Sequence, residues 1–471
     1  MKNITLDTTH LKKLPNSFYT FVEPTPLLNP KLGSVNKKLL NSLEIDDKQI
    51  NQNNFIEFIN GSFLANGSKT YANAYAGHQF GYHVPNLGDG RAINLGSLND
   101  THFQLKGSGK TPYSRDGDGR AVLRSSIREY LMSEAMAGLN IPTTRAAALI
   151  TSDTKVYRHY DVENAAIVLR TSPSWIRFGS FEFAYMGKNK VQNLKSLADF
   201  VIDESYCELK GLDNRYDELY FKIVDKTIEL MALWQSVGFM HGVMNTDNMS
   251  VAGLTIDYGP YAFMEEFDKT TICNLSDNEG RYSFENQPFI AQWNLLVLAK
   301  VMSPITNHQL CENYANLFIG KFKKRYFEIM LEKLGLYEKV ENDNQIVLNL
   351  FKAMQKDSID YTNFFYSLSC GQEYFQGEHI SSWVKNYKIR LELEVISKEE
   401  RLSNMKKINP KYILRNYMLQ EAIELANGGD FSLVDDLLKI AQNPYEEHKS
   451  FDRYAQATPK ELTNMMCSCS S

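Results

Sequence analysis

At 471 residues, 43% of them hydrophobic, the chain is long enough to bury a large core and to divide into more than one lobe. The 51 basic residues set against 56 acidic ones leave a net charge of −5, which gives no electrostatic footprint for nucleic acid. No run of 18 apolar residues occurs, the first residues look like neither a signal nor a transit peptide, and six cysteines make no disulfide framework; the expected setting is the cytoplasm, away from membranes.

In chain order, residues 1–60 read as an N-terminal arm, irregular around Pro24, Pro26 and Pro30, with some helix over Val35–Leu43. Residues 61–175 read as a small β-rich lobe. Ala92–Leu98 and His102–Lys106 are strand-like, and the polar break between them reads as a hairpin. A long helix is expected over roughly Arg120–Leu139, because Leu123, Ile127, Leu131 and Ala135 fall on one stripe. Gly138, Asn140 and Pro142 end it. Three strand-like runs follow, at Arg145–Thr151, Lys155–Tyr160 and Ala165–Arg170. Residues 176–471 read as a large helical lobe with a C-terminal extension and a cysteine-containing tail. Leu219–Trp234 is its most apolar stretch, and helical patterns run from Asn286 nearly to the end. The fold class is α+β.

Residues 241–257, H-G-V-M-N-T-D-N-M-S-V-A-G-L-T-I-D, carry the chemistry. In a protein-kinase catalytic loop the base Asp stands two residues after the His, and a metal-binding Asn seven after it. His241 and Asn248 keep the seven-residue offset, but Val243 holds the base position and cannot accept a proton. Asp257, in I-D-Y-G, matches the metal-binding Asp of D-F-G. A different carboxylate, Asp247, stands beside Asn248. Ala252-Gly253 reads as the turn of a short hairpin, and His241 as a structural residue. Both metal ligands kept and the base lost point to Mg-nucleotide chemistry other than ordinary phosphorylation. The expected frame is a protein-kinase-like (pseudokinase) bilobal fold.

The surrounding residues admit two readings each. Lys106 ends a strand and Glu129 lies on the following helix, where a kinase places its phosphate-holding Lys and the Glu that orients it; a surface Lys and a solvated Glu are the alternative. Gly88-Asp89-Gly90-Arg91 is either a glycine-rich loop or a plain turn, and Asp89 fits poorly against phosphate. The loop Ser114–Gly119 either folds over a nucleotide or caps the helix through Asp118. Arg170 and Arg177 either grip a polyphosphate by forked hydrogen bonds or lie on the surface. Gly107-Ser108-Gly109-Lys110-Thr111 is no P-loop, since Gln104 stands where its first glycine belongs. His308 and Cys311 lack a second pair of zinc ligands, and there is no G-x-S-x-G elbow.

Tyr75–Gly81 (Y-A-G-H-Q-F-G), Leu87–Arg91 (L-G-D-G-R), Thr111–Arg128, His241–Asn248 and Ile256–Gly259 together resemble the selenoprotein O, or YdiU, family, in its cysteine-containing form. The resemblance implies a pseudokinase that moves AMP from ATP to hydroxyl side chains of proteins, with Mg²⁺ or Mn²⁺. It implies Asp247 as the base and Asn248 and Asp257 as metal ligands. It implies that Lys106, oriented by Glu129, holds phosphates, and that Gly88, Gly90, Arg91, Asp118, Gly119, Arg170 and Arg177 line the ATP site. The nucleotide would lie flipped relative to a kinase, with the two arginines on the terminal phosphate. Cys469 stands where many members carry selenocysteine. A redox latch between Cys273 and Cys469, worked by redox partners, is a further expectation. The rival functions are a phosphotransferase, which needs a carboxylate at 243, and a non-catalytic nucleotide-binding pseudokinase, which needs no metal ligands.

Overall fold

The computed structural model describes residue 1, residues 4–158 and residues 161–463. Its N-terminal half is built on one antiparallel sheet. The strands are β1 (Tyr19–Phe21), β2 (Lys31–Val35), β3 (Tyr71–Asn73), β6 (Ala92–Leu98), β7 (Thr101–Lys106), β8 (Ala121–Val122), β9 (Arg145–Arg158) and β10 (Asp161–Ser172). Between β3 and β6 a separate hairpin forms from β4 (Gly77–Gln79) and β5 (Tyr82–Val84). The sheet runs β1-β3-β6-β7-β10-β9-β2, with β8 beside β10.

The β6–β7 hairpin falls where the alternation of Phe103 and Leu105 puts it, turning at Asn99 and Asp100, both with positive φ. Elsewhere the strands differ from expectation. Residues 1–60 supply both edge strands, β1 and β2, alongside three short helices, α1 (Lys37–Ser42), α2 (Asp47–Ile50) and α3 (Asn53–Ile59). Strands of three and five residues flanked by prolines leave no periodic signal, and their pairing is supplied from far along the chain. The three runs after the long helix are two long strands: β9 passes through Ser152-Asp153-Thr154 without a break, because Ser152 Oγ donates to Ala165 O across the sheet. Residues 159 and 160 of the second run lie outside the described residues.

The long helix, α4, spans Leu123–Gly138. It starts later than expected because Ala121 and Val122 are spent pairing with β10. Its Leu123, Ile127, Leu131 and Ala135 are buried against the sheet, as their spacing requires. Near its C-terminal end α4 also packs on helix Ser432–Gln442, where Ala135 and Leu139 face Ile440 and Ala441. At Gly138 the approach is so close that a Cβ would lie 1.9 Å from Ala441 O. The far end of the chain thus clamps the helix that bears Glu129.

Beyond residue 176 the chain is mainly helical. After α5 (Phe178–Tyr185) and α6 (Lys190–Ser205), α7 (Arg215–Ser236) contains the apolar stretch 219–234, and α8 (Gln287–Met302) opens the C-terminal series. Between α7 and α8, β11 (Phe239–His241) pairs with β12 (Tyr261–Phe263), and the candidate catalytic loop hangs between them. Ala252-Gly253 does turn there, with Gly253 N–H donating to Ser250 O. The flanks do not pair with each other, however: Ser250 bridges Arg177 and Thr255 bridges Thr143.

One core lysine is out of keeping with its surroundings. Lys333 is buried at the end of helix Phe318–Lys333, its ammonium 4.7 Å above the Phe365 ring. Burial pushes its pKa down to about 7 from an ordinary 10.5. Between those values the unfolded chain binds more protons than the folded one, so the stability penalty of this residue shrinks as pH rises through that window. Lys333→Met is expected to raise the stability by about 1 kcal/mol or more at pH 7 and below, with the gain fading towards pH 10. Thermal melts across that range check it; a gain independent of pH would contradict it.

Candidate active site

A cavity of about 750 Å³ opens between the sheet and the helical region. All the candidate site residues except Glu129 line it: Gly88, Gly90 and Arg91 from the turn before β6, Lys106 from the end of β7, Asp118 and Gly119 from the loop before β8, Arg170 and Arg177 from and after β10, and Asp247, Asn248 and Asp257 from the loop between β11 and β12. Glu129 stands behind Lys106. Its Oε2 is 2.6 Å from Lys106 Nζ, and its Oε1 accepts from Arg170 Nη1 at 2.6 Å. All three side chains are buried, so the solvated-pair alternative is removed.

From this centre a chain of polar contacts crosses the sheet. Lys106 Nζ donates to Asp257 Oδ1 at 3.0 Å. Arg170 Nη2 donates to Gln104 Oε1, Gln104 Nε2 to Asn94 Oδ1 at 3.0 Å, and Asn94 Nδ2 to Asp89 Oδ2 at 3.2 Å. Asp89 lies 3.8 Å from Arg177, whose Nη1 donates to Asp247 O at 2.7 Å. Asp89 lines the cavity, but its carboxylate is buried and engaged by Asn73 N–H, Asn94 and Arg177. Those partners, Arg177 among them, lessen the conflict between Asp89 and a phosphate. Arg170 and Arg177 each stack on an aromatic ring, Trp175 and Tyr75, and each keeps a buried Nε with no hydrogen-bond partner.

The glycines are fixed by packing as much as by the cavity. A Cβ on Gly88, at φ +138°, would lie 2.4 Å from the Tyr113 ring; one on Gly119, at φ +69°, would lie 2.1 Å from Gly109 O. The two glycine turns therefore interlock, and Gly107–Thr111 is part of that joint. Asp118 receives Arg158 Nη1 and Nη2 at 2.7 and 2.9 Å and caps Arg120 N–H at 2.8 Å. Arg158 lines the cavity and was not singled out in the sequence, since a lone strand arginine carries no pattern.

The two aspartates of the loop are driven apart electrostatically. Burial pushes Asp247 up to about 6, against the pull of Arg177 and Gln79. Asp257 is half-buried; the desolvation this brings works against its charge, but Lys106, Arg177 and Arg91 outweigh it and hold the carboxyl far below the usual range. One carboxylate is thus a permanent anion, and the other is close to exchanging a proton near neutrality. Asp247 Oδ1 has no hydrogen-bond partner. His241 is structural: Nδ1 accepts from Val243 N–H, Nε2 lies 3.1 Å from Ile256 O, and the ring stacks on Trp234.

Sequence reasoning assigned no role to the β4–β5 hairpin. It is fastened over the loop by His78 N–H to Thr246 Oγ1 at 2.7 Å and Phe80 N–H to Asn245 Oδ1 at 3.0 Å, and Gln79 Nε2 reaches Asp247 Oδ2 at 3.3 Å. Contacts spanning some 165 residues leave no local signature. Gly77 is the one trace: a Cβ there would lie 2.7 Å from Asp247 Oδ1.

Asn248 and Asp257 fit a hard divalent cation. Asn248 spends its amide nitrogen on Val243 O at 3.0 Å, which leaves its oxygen for a ligand, and Asp257 is anionic. Among the described residues no cluster of three His, Cys, Asp or Glu side chains could hold a metal, so other ligands would come from phosphate and water. Cys273 is buried against Met240 O, and Cys469, its expected partner, lies outside the described residues.

A cleft between a β-sheet and a helical region, with buried cations facing two unlike aspartates, suits the phosphates of a nucleotide, and similarity to known proteins makes the class a nucleotidyltransferase. The family profile described as protein adenylyltransferase SelO matches residues 3–442. The chain is 42% identical over 478 residues to the protein nucleotidyltransferase YdiU of Aliivibrio fischeri, covering 98% of both chains. It is 41% identical to that of Myxococcus xanthus, over 100% of this chain and 99% of the relative, and 44% identical to that of Vibrio atlanticus, over 97% of each. The chain belongs to the SelO family.

Because Gly77 lies against the Asp247 carboxylate, Gly77→Ala is expected to displace it and lower the transfer rate by roughly 10²-fold while the protein stays folded. Rates and melting curves of the variant check this; full activity would show that the contact is not required.

Proposed function

We propose that this SelO-family protein adenylyltransferase transfers AMP from ATP to Ser, Thr or Tyr hydroxyls of proteins, using Mg²⁺ or Mn²⁺, in the cytoplasm. The frame is kinase-like: an arm over 1–60, an N-lobe over 61–175 and a helical C-lobe over 176–471. The observation that carries the reading is the gathering of Lys106, Arg170, Arg177, Asp247, Asn248 and Asp257 around one cavity, with Val243 at the kinase base position.

In this reading Asp247 takes the proton of the acceptor hydroxyl, whose oxygen then attacks the α-phosphorus. The bond from the α-phosphorus to the bridging oxygen breaks, and pyrophosphate leaves. Lys106, held by Glu129, binds phosphate oxygens. Arg170 and Arg177 bind the terminal phosphate, which supplies an acceptor for their unpartnered Nε groups. Gly88, Gly90, Arg91, Asp118 and Gly119 line the nucleotide. Asn248 and Asp257 would hold the divalent cation, which when bound offsets phosphate charge.

With ATP labelled at the α-phosphate, Asp247→Ala is expected to lower transfer by roughly 10²–10⁴-fold with ATP still bound. Asp257→Ala is expected to abolish metal-dependent transfer while the protein remains folded. Unchanged rates in either variant would overturn the corresponding role.

A further inference from the structure

The face beside Asp247 carries a cation that the reaction as described does not use. Arg281 follows the Asn274–Gly280 turn, and Asp277 accepts its backbone N–H and that of Tyr282 at 2.9 and 2.8 Å. Asp277 therefore orients the segment without forming an ion pair with the guanidinium. Among the described residues no carboxylate pairs with Arg281, and its buried Nε has no partner. The guanidinium lies 5.0 Å over the Trp293 ring and 5.8 Å from that of Tyr282. An arginine stacked in this way, with a hydrogen bond to the Tyr282 side chain, is pre-ordered and keeps the rest of its fork for an external anion.

Its position ties it to the acceptor side of the site. Tyr282 Oη donates to Asn245 Oδ1 at 2.6 Å, and the same oxygen receives Phe80 N–H from the β4–β5 hairpin. Asn245 is two residues before Asp247. The hairpin tip turns at Gly81, where a Cβ would be 3.9 Å from the guanidinium, so no side chain stands between them. His78 packs 5.4 Å from Trp293, and Tyr82 and Phe289 are 80% and 53% exposed on the hairpin and on α8. His78 already has a carboxylate, the buried Glu182 at 2.7 Å. Lys300 adds positive charge near His78. The surface is aromatic, carries Arg281 and Lys300 beside the carboxylates Asp277 and Glu182, and borders the base.

We propose that this face docks the acceptor polypeptide, and that Arg281 binds an acidic side chain flanking the hydroxyl to be modified. The aromatic surface of Trp293, Tyr82 and Phe289 carries the apolar part of that segment, and Arg281 selects its charge. The inference rests on Asp247 as the base, since that fixes where the hydroxyl must lie.

The test uses peptides with a single Ser, Thr or Tyr in an Ala-Gly background, flanked by Asp, Asn or Lys, and MgATP labelled at the α-phosphate. The wild type is expected to show a KM for Asp-flanked peptides about tenfold below that for Asn-flanked ones. Arg281→Gln is expected to remove that difference without altering the KM for ATP, Arg281→Lys to keep most of it, and Arg281→Glu to shift preference to Lys-flanked peptides. Equal KM values for Asp and Asn peptides in the wild type would overturn the proposal. So would a preference that survives in Arg281→Gln, or labelling of no peptide by a wild type that binds ATP. Parallel reactions with γ-labelled ATP separate the two readings: label from the γ position alone would overturn AMP transfer, while a charge preference set by Arg281 would still stand.

Discussion

Glu129 holds two cations at once where water does not reach. A buried carboxylate is costly unless it is paired, and leaving Arg170 without its carboxylate would cost about 3–5 kcal/mol. The pairing is therefore obligatory, and it fixes three elements against one another: α4 through Glu129, β7 through Lys106 and β10 through Arg170. Lys106 is thereby aimed at Asp257, and Arg170 at Gln104 and so at the polar chain that ends on Asp247. The site's charges are set by the sheet beneath it. The C-terminal helix, pressed against Gly138, gives α4 a second fixed surface, so the chain's far end takes part in holding this pairing.

The asymmetry of the two loop aspartates follows from that frame. Asp257 is the more exposed of the two and lies among Lys106, Arg177 and Arg91. Asp247 receives a weaker pull, and one of its oxygens lies beside Gly77 with no donor at all. An anion held by cations suits a metal ligand; a carboxylate that burial holds near neutrality suits a proton acceptor. The loop can thus serve a chemistry in which the residue at 243 is an aliphatic side chain.

Much of this was legible in the sequence, for identifiable reasons. The α4 stripe, the β6–β7 alternation and the His241–Asn248–Asp257 spacing are local patterns, and local patterns survive in one dimension. The gathering of Lys106, Glu129 and Arg170 was readable only by analogy of position, and the family resemblance supplied what spacing left open. What stayed hidden was non-local. The edge strands β1 and β2 are too short to show a period. The break expected at Ser152–Thr154 is bridged by a hydroxyl from the same strand to its neighbour. The hairpin over Asp247 acts through contacts to residues 245–247, and although Gly77 and Gln79 fall within the Tyr75–Gly81 motif, nothing local ties them to Asp247.

The central claim is that the group transferred is AMP, with Asp247 accepting the proton. Parallel reactions with ATP labelled at the α or at the γ phosphate, followed by recovery of the modified protein, test it most directly. The account requires label on protein from the α position only, lost in Asp247→Ala. Label arriving from the γ position and absent from the α position would contradict it.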